Sequence, residues 1–371
     1  MGHLKSLHWG KSFSREQAEE VGGLLPELNL QQPYAIDKAP AALRTYFATY
    51  GFDSLLESVT ACQYCVGFVQ TRSHRLAVHV WQVPNASATV LVSHGLFDHV
   101  GLFLGVIEQL LHAGYCVVAL DFPGHGLSEG EPAVIRDFSI YASVIEESLQ
   151  FLMPGLPRPL FAVGQSTGGA ALLSYVLNAR ELNRPELNGP ELNGPESNGS
   201  VSSGRNSNTS ESPSKLMPEN PATKVKKLVL LAPLIQPQKW PVINVSYILL
   251  HKFIQFIPRN FTMNSHDESF CEFLRDYDPL QPRHISTVWT GAMRKWIQSF
   301  DSLPMSNIPC MVIQGDADMT VDWQKNLPRI QNKFSDITIE MIEGGMHHLA
   351  CEGDAWRSQV YQHMLNFLSK E

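Results

Sequence analysis

The chain has 371 residues, 44% of them hydrophobic and 17% charged, a balance that suits a globular protein with a large buried core and excludes an intrinsically disordered one. Its net charge of -8, from 28 basic and 36 acidic residues, supplies no basic footprint for a phosphate backbone, so nucleic acid is excluded as a partner. Six cysteines spread over this length do not make a disulfide framework.

Residues 1–53 read as an N-terminal helical extension. Met1 to Ser12 carries Lys5, His8, Trp9 and Lys11 among few apolar residues, so no signal peptide is recognised and a cytoplasmic location is expected. No run approaches the roughly 18 apolar residues of a spanning helix. The sequons at Asn198 and Asn208 therefore carry little weight. Helical patterns run from Arg15 to Leu25 and from Ala41 to Tyr50, where Leu43, Tyr46, Phe47 and Tyr50 share one face. That second face is expected to pack on the main body. Cys62 and Cys65 form a lone C-x-x-C, which without a second pair points to neither a metal nor a redox centre.

Gly67 to Val83 predicts a first hairpin, with a polar turn at Thr71 to His74. Strands follow near Val90, Val117, Phe161, Val229, Val312 and Ile339, separated by helical stretches. This alternation predicts an α/β fold with a mostly parallel sheet covered on both faces. Cys116 and Cys310 fall inside strand runs as small buried hydrophobes.

Ala88 to Ser93 leads into His94, Gly95, Leu96, Phe97, Asp98 and His99. Two histidines and a carboxylate suggest zinc, but three ligands crowded into six residues of one turn are better read as groups that fix the loop. Tyr115 to Leu120 then leads into Asp121-Phe-Pro-Gly-His-Gly-Leu-Ser-Glu-Gly130. The apolar run Pro159 to Val163 ends in Gly164-Gln165-Ser166-Thr167-Gly168, a G-x-S-x-G that proposes Ser166 as a nucleophile at a sharp strand-to-helix turn.

A serine needs a base, and the base needs an orienting acid. Asp316 and Asp318 follow the strand run Ile308 to Gln314, and His347 follows the run Ile337 to Ile342. In this reading His347 takes the Ser166 proton, and Asp318 fixes the imidazole tautomer. Asp316 and Asp322 are rival acids; Asp316 lies nearer the strand end and suits a loop cap, which favours Asp318. His348 is the rival base and is read instead as a loop or surface histidine. The oxyanion donors are expected to be the backbone amides of Leu96 and Thr167.

Taken together, H-G-x-x-x-H, D-x-x-G-H-G-x-S-x-G, G-x-S-x-G-G, G-x-x-D and G-x-x-H in this order resemble the monoacylglycerol lipase and lysophospholipase branch of the α/β-hydrolases, from about Gly67 to the C-terminus. The resemblance implies an α/β-hydrolase fold with a helical cap, hydrolysis of small-molecule carboxylic acyl esters, no cofactor and no metal, and a fold-supporting role for His125. The same residues leave open an amide, a thioester or a lactone as the bond cleaved, or a non-catalytic ligand-binding member.

One insertion interrupts the resemblance, and a second excursion falls where the family places its cap. Residues 181–221 contain the repeat ELNRP, ELNGP, ELNGP, ESNGS, which fits neither helix nor strand and reads as a low-complexity surface insertion. Residues 234–303 read as the cap, between core segments 54–233 and 304–371. Its first half places Val242, Val245, Leu249, Phe253, Phe256 and Ile257 at near-helical spacing, and its second half contains Val288, Trp289, Met293, Trp296, Ile297 and Phe300. Core packing is expected to account for most of these side chains, with a few lining an acyl tunnel. An apolar rim of the cap also suggests transient contact with a membrane surface.

Overall fold

The computed structural model describes residues 9–178 and 224–370. The low-complexity insertion, the sequons and residues 1–8 of the N-terminal stretch lie outside the described residues.

Short β-branched and aliphatic runs form the strands β1 (Gln63–Gln70), β2 (Arg75–Gln82), β3 (Thr89–Ser93), β4 (Cys116–Leu120), β5 (Leu160–Gln165), β6 (Val225–Leu231), β7 (Phe256–Pro258), β8 (His284–Ser286), β9 (Cys310–Gly315) and β10 (Ile337–Ile342). Eight of them make one sheet in the order β1-β2-β4-β3-β5-β6-β9-β10. β2 runs antiparallel to β1 and β4, and every later pair is parallel. The helices are α1 (Arg15–Val21), α2 (Ala41–Tyr50), α3 (Phe52–Ser58), α4 (Leu104–His112), α5 (Phe138–Leu152), α6 (Thr167–Leu177), α7 (Trp240–Leu250), α8 (Glu268–Glu272), α9 (Thr287–Ser299), α10 (Trp323–Gln331) and α11 (Asp354–Ser369).

Alternate residues of each central strand enter opposite cores. Val90, Val92, Val117, Phe161, Val163, Val229 and Ile313 pack with α2, α3, α4 and α11, while Leu91, Val118, Leu120, Ala162, Leu230 and Val312 pack with α5, α6 and α10. Burial on both faces explains why these strands read as unbroken apolar runs. The parallel strands also carry their C-terminal ends to one edge, where ligands of open α/β sheets bind.

The N-terminal extension helps to make this core. Ser14 caps α1, and Gln17 returns the bond in a reciprocal box. α1 stops at Val21, four residues short of the expected Leu25. α2 matches its sequence range, and Leu43, Tyr46, Phe47 and Tyr50 are all buried. The segment before it bridges the outer strand, with Leu28 N–H donating to Phe68 O and Phe68 N–H to Pro26 O. As a result β1 and β2 are buried along both faces between their ends. α3 spans residue 53, where the extension was expected to end, and Phe52 and Leu55 join the same cluster as the sheet.

The cap differs from expectation in two ways. The helical spacing of its first half breaks at Leu250: Phe256 and Ile257 lie in β7, which pairs antiparallel with β8. Its apolar side chains are also not core. α7 buries none of its residues, and Val242, Val245, Leu249 and Phe253 are exposed. A 3.6-residue apolar period shows that one face is apolar, but not what covers it. α9 behaves as expected: Trp289, Met293 and Trp296 are buried, and Trp296 stacks on Phe138 at 5.5 Å.

If the extension is part of the fold, Phe47→Ala will destabilise the whole protein. Phe47 is fully buried against Tyr34, Tyr46, Phe52 and Tyr64. Urea unfolding followed by tryptophan fluorescence is expected to show a loss of about 3–5 kcal/mol in one cooperative transition. A loss below about 1 kcal/mol would mean that the extension is only an appendage.

Candidate active site

Ser166 stands between β5 and α6 with φ 52° and ψ -114°, a conformation rarely adopted by a side chain other than glycine. The turn closes because Gly168 lacks a Cβ, which would lie 2.2 Å from Ser93 O. Leu234 N–H and Ala170 N–H both donate to Ser166 O, and Ser166 N–H donates to Leu231 O. β6 thus holds the strained residue by its amide, and the segment after β6 holds it by its carbonyl.

Three of the residues singled out in the sequence meet at this turn. His347 Nε2 lies 3.0 Å from Ser166 Oγ, and His347 Nδ1 lies 2.7 Å from Asp318 Oδ2. Thr320 N–H and Val321 N–H donate to Asp318 Oδ1, and Gln314 Nε2 donates to Oδ2. Burial by itself raises the Asp318 pKa, but the field and bond of His347 and these amides hold it below the ordinary carboxylate value. A carboxylate at Nδ1 favours a proton on that nitrogen and leaves Nε2 free to accept one from the serine. The rival acids are engaged elsewhere. Asp316 accepts Gly344 N–H, as expected of a loop cap, and Asp322 bonds Gln236 and Lys325.

Thr167 N–H opens the first turn of α6, where helix amides have no intrahelical acceptor. Leu96 N–H makes no hydrogen bond among the described residues. Leu96 lines the same cavity as Ser166.

The H-G-x-x-x-H loop is a network of fixed histidines. His94 Nδ1–H donates to Gly95 O, and its Nε2 accepts Phe122 N–H, so the neutral tautomer is set by the backbone. His125 Nδ1–H donates to Pro123 O. Asp121 fastens the next loop by accepting Val100 N–H and Leu127 N–H, and Gly126, at φ 53°, lies where any Cβ would strike that carboxylate. Among the described residues no cluster suited to a metal ion occurs.

His348 departs from expectation. It makes no hydrogen bond to Ser166 and is not at the surface: it is buried and sits 3.1 Å from Asp98 Oδ2 through Nε2. Burial pushes the Asp98 carboxyl up, and the charge and bond of His348 outweigh this, holding it at about 2. His99 makes a second buried pair, 3.1 Å from Asp278, whose other oxygen accepts Tyr50 O–H at 2.7 Å.

Sequence reasoning missed two positioning residues. Gln165 donates through Nε2 to His347 O and accepts Ala350 N–H, linking the nucleophile strand to the histidine loop. Glu352 is fully buried and accepts from Met346 N–H, Gly353 N–H and His266 N–H, joining that loop to the cap. Gln165 had a signal, since it is the variable residue of G-x-S-x-G lying inside a buried strand. Glu352 had none.

Two cavities open beside Ser166. One, about 440 Å³, is lined by Leu234, Ile243, Leu250, Ile254, Trp289 and Met293 among others. The second, about 210 Å³, contains Ser166, His347, Asp98, His348 and Arg259. The first is almost wholly apolar, the second mixes polar and apolar side chains and is the more polar of the two, and Leu96 borders both.

Residues 84–199 and 213–354 match the family described as Hydrolase_4, serine aminopeptidase S33. The chain belongs to this family. Among curated relatives, mouse monoglyceride lipase is 25% identical over 274 residues, covering 71% of this chain and 76% of the relative. A soluble variant of monoglyceride lipase from Saccharomyces cerevisiae, solved with a substrate analogue, superposes with a TM-score of 0.61 at 18% identity, covering 82% of this chain and 93% of that one. Paleococcus ferrophilus monoacylglycerol lipase gives 0.58 at 18% identity, covering 80% and 98%. The resemblance read from the motifs therefore holds: this Hydrolase_4 chain is a monoacylglycerol-lipase-like protein with the α/β-hydrolase fold. Among the described residues no helix is long and apolar enough to cross a membrane.

The buried histidines give the family member a measurable acid sensitivity. Burial, aided by nearby His99, lowers His79 to about 3; burial, aided by His125, lowers His94 to about 3; burial lowers His125 to about 4. An unfolded histidine titrates near ~6.5, so below that pH the unfolded chain binds protons that the folded one refuses. Stability present at pH 7 is then lost as pH falls, by ~1.4 kcal/mol per pH unit and site once well below pH ~6. Burial lowers His99, but the charge and bond of Asp278 outweigh it and hold it above its ordinary value, so its contribution is already complete below pH ~6.5 and does not offset this loss. Thermal melts are expected to show Tm dropping from pH 7 to 5, with a shallower fall in His79→Gln. An unchanged Tm across that range would show that these imidazoles are not held neutral.

Proposed function

We propose that the protein is a serine hydrolase of carboxylic esters, acting through an acyl-Ser166 intermediate on acyl glycerols or similar lipids. The observation that carries this reading is the single imidazole of His347, within hydrogen-bond reach of Ser166 Oγ on one side and Asp318 on the other. Ser166 Oγ attacks the carbonyl carbon as its proton passes to His347 Nε2, and the resulting oxyanion takes the Leu96 and Thr167 amides. Collapse breaks the bond to the leaving oxygen, which receives that proton. Water then attacks the acyl carbon and gives a proton to His347. The acid departs as Ser166 regains it.

The large apolar cavity suits a hydrocarbon chain and excludes water from the reacting carbonyl. The monoglyceride lipases among the relatives support the same class. The family description also raises an amide of an N-terminal residue as substrate. Recognition of an α-ammonium calls for an unengaged carboxylate, and Asp98, the carboxylate bordering the polar cavity, is already bonded by His348. This favours the ester.

Ser166→Ala is expected to lower kcat/KM on aryl esters and monoacylglycerols by about 10³-fold or more and to abolish labelling by a fluorophosphonate probe. Near-native turnover by this variant would remove the nucleophile. Failure of the wild-type protein to label or to turn over any ester would instead favour a non-catalytic ligand-binding role.

The exposed side chains of α7 and the turn after it supply a lipid-facing rim. Phe253 is 84% exposed and Val242 67%, and the wall of the apolar cavity continues directly from them through Leu250 and Ile254. Wild-type protein is expected to float with neutral lipid vesicles. Leu249→Ser with Phe253→Ser is expected to stay in the dense fraction, and equal flotation of both proteins would refute the contact.

A further inference from the structure

The cavities differ in which part of an ester they can receive. His347 borders the polar cavity and not the apolar one, and the leaving oxygen must lie on the side of the imidazole that reprotonates it. Resting on the ester-hydrolase reading above, the polar cavity is therefore the seat of the leaving alcohol.

Its wall holds a partly buried cation, Arg259. Arg259 lies over Phe97 at 4.2 Å and over Phe261 at 4.3 Å, and its one side-chain hydrogen bond runs from Nη1 to Gln281 Oε1. Among the described residues it forms no ion pair; Asp98, the carboxylate on this wall, is bonded by His348. A second cation, Arg283, stands over the other part of Phe261, 4.9 Å from its centroid. Burial pulls the Arg259 pKa down to about 10 against the attraction of Asp98 and Asp278, with repulsion from Arg283 adding to the fall, so it stays charged at neutral pH while lacking full solvation. A guanidinium flanked by two rings, with one donor engaged, is suited to a planar, multi-point anion contact. We infer that Arg259 recognises an anionic phosphate on the leaving alcohol, making acyl glycerol phosphates better substrates than neutral acyl glycerols of the same chain.

The experiment compares 1-acyl-glycerol 3-phosphate with 1-acylglycerol on the full chain, together with a short aryl ester. Wild type is expected to favour the phosphate by about tenfold or more in kcat/KM, chiefly through KM, in line with one charge-assisted contact. Arg259→Gln is expected to reduce the phosphate-to-neutral ratio by about 10- to 100-fold, and Arg259→Lys to restore part of it. On Ser166→Ala, calorimetry is expected to detect glycerol 3-phosphate but not glycerol, and the phosphate signal is expected to vanish when Arg259→Gln is added. A wild type that prefers the neutral ester, or a ratio unmoved by Arg259→Gln in a variant whose Tm is retained, overturns the inference. Aryl-ester turnover separates the outcomes: if it persists, only the headgroup assignment falls, and if it is absent the hydrolase reading falls with it.

Discussion

The arrangement depends on keeping one serine in an unfavourable backbone conformation. At φ 52° and ψ -114°, Ser166 carries strain on the order of 1–3 kcal/mol, which local preference would relieve by flattening the turn. The turn persists because its surroundings over-determine it. β6 holds its amide, the segment after β6 and the first turn of α6 hold its carbonyl, and the missing Cβ at Gly168 lets α6 press against the end of β3. With the turn fixed, the hydroxyl projects from the sheet edge and the next amide opens a helix. The positions of the Ser166 hydroxyl and the Thr167 amide thus follow from one backbone constraint.

The remaining partners are brought to that edge by parallel topology. β9 and β10 lie beyond β6 and end at the same border, so Asp318 and His347 arrive on adjacent loops although each is far from Ser166 in sequence. Gln165 and Glu352 then remove freedom from the histidine loop. Buried polar groups of this kind carry a high desolvation penalty unless satisfied. Glu352, with bonds to three successive segments, meets that requirement by pinning all three.

Much of this was legible in the residues themselves. The central strands appeared as apolar runs because burial on both faces demands it, and Ser166, Asp318 and His347 stood out because strand-end loops rich in glycine expose reactive groups. The partners of His348 and His99 were not legible. Each pairs with a carboxylate about 180 to 250 positions away, and no local pattern encodes such a meeting. The nature of the cap surface was hidden for another reason. An apolar helical period is the same whether the face meets a core or open solvent, so Val242, Val245 and Leu249 were assigned to packing that α7 does not have. Residue 53 likewise looked like a boundary, because sequence shows where patterns change and not which cores are shared.

The triangle of Tyr50, Asp278 and His99 has a mechanical consequence. It rivets one shoulder of the cap to both the N-terminal helix α2 and the loop that supplies Leu96, and parting those groups would strand a carboxylate and an imidazole out of water. Among the described residues α7 has no such rivet. A bulky guest therefore meets a roof with one clamped eave and one yielding eave, and the yielding eave overhangs the oily chamber.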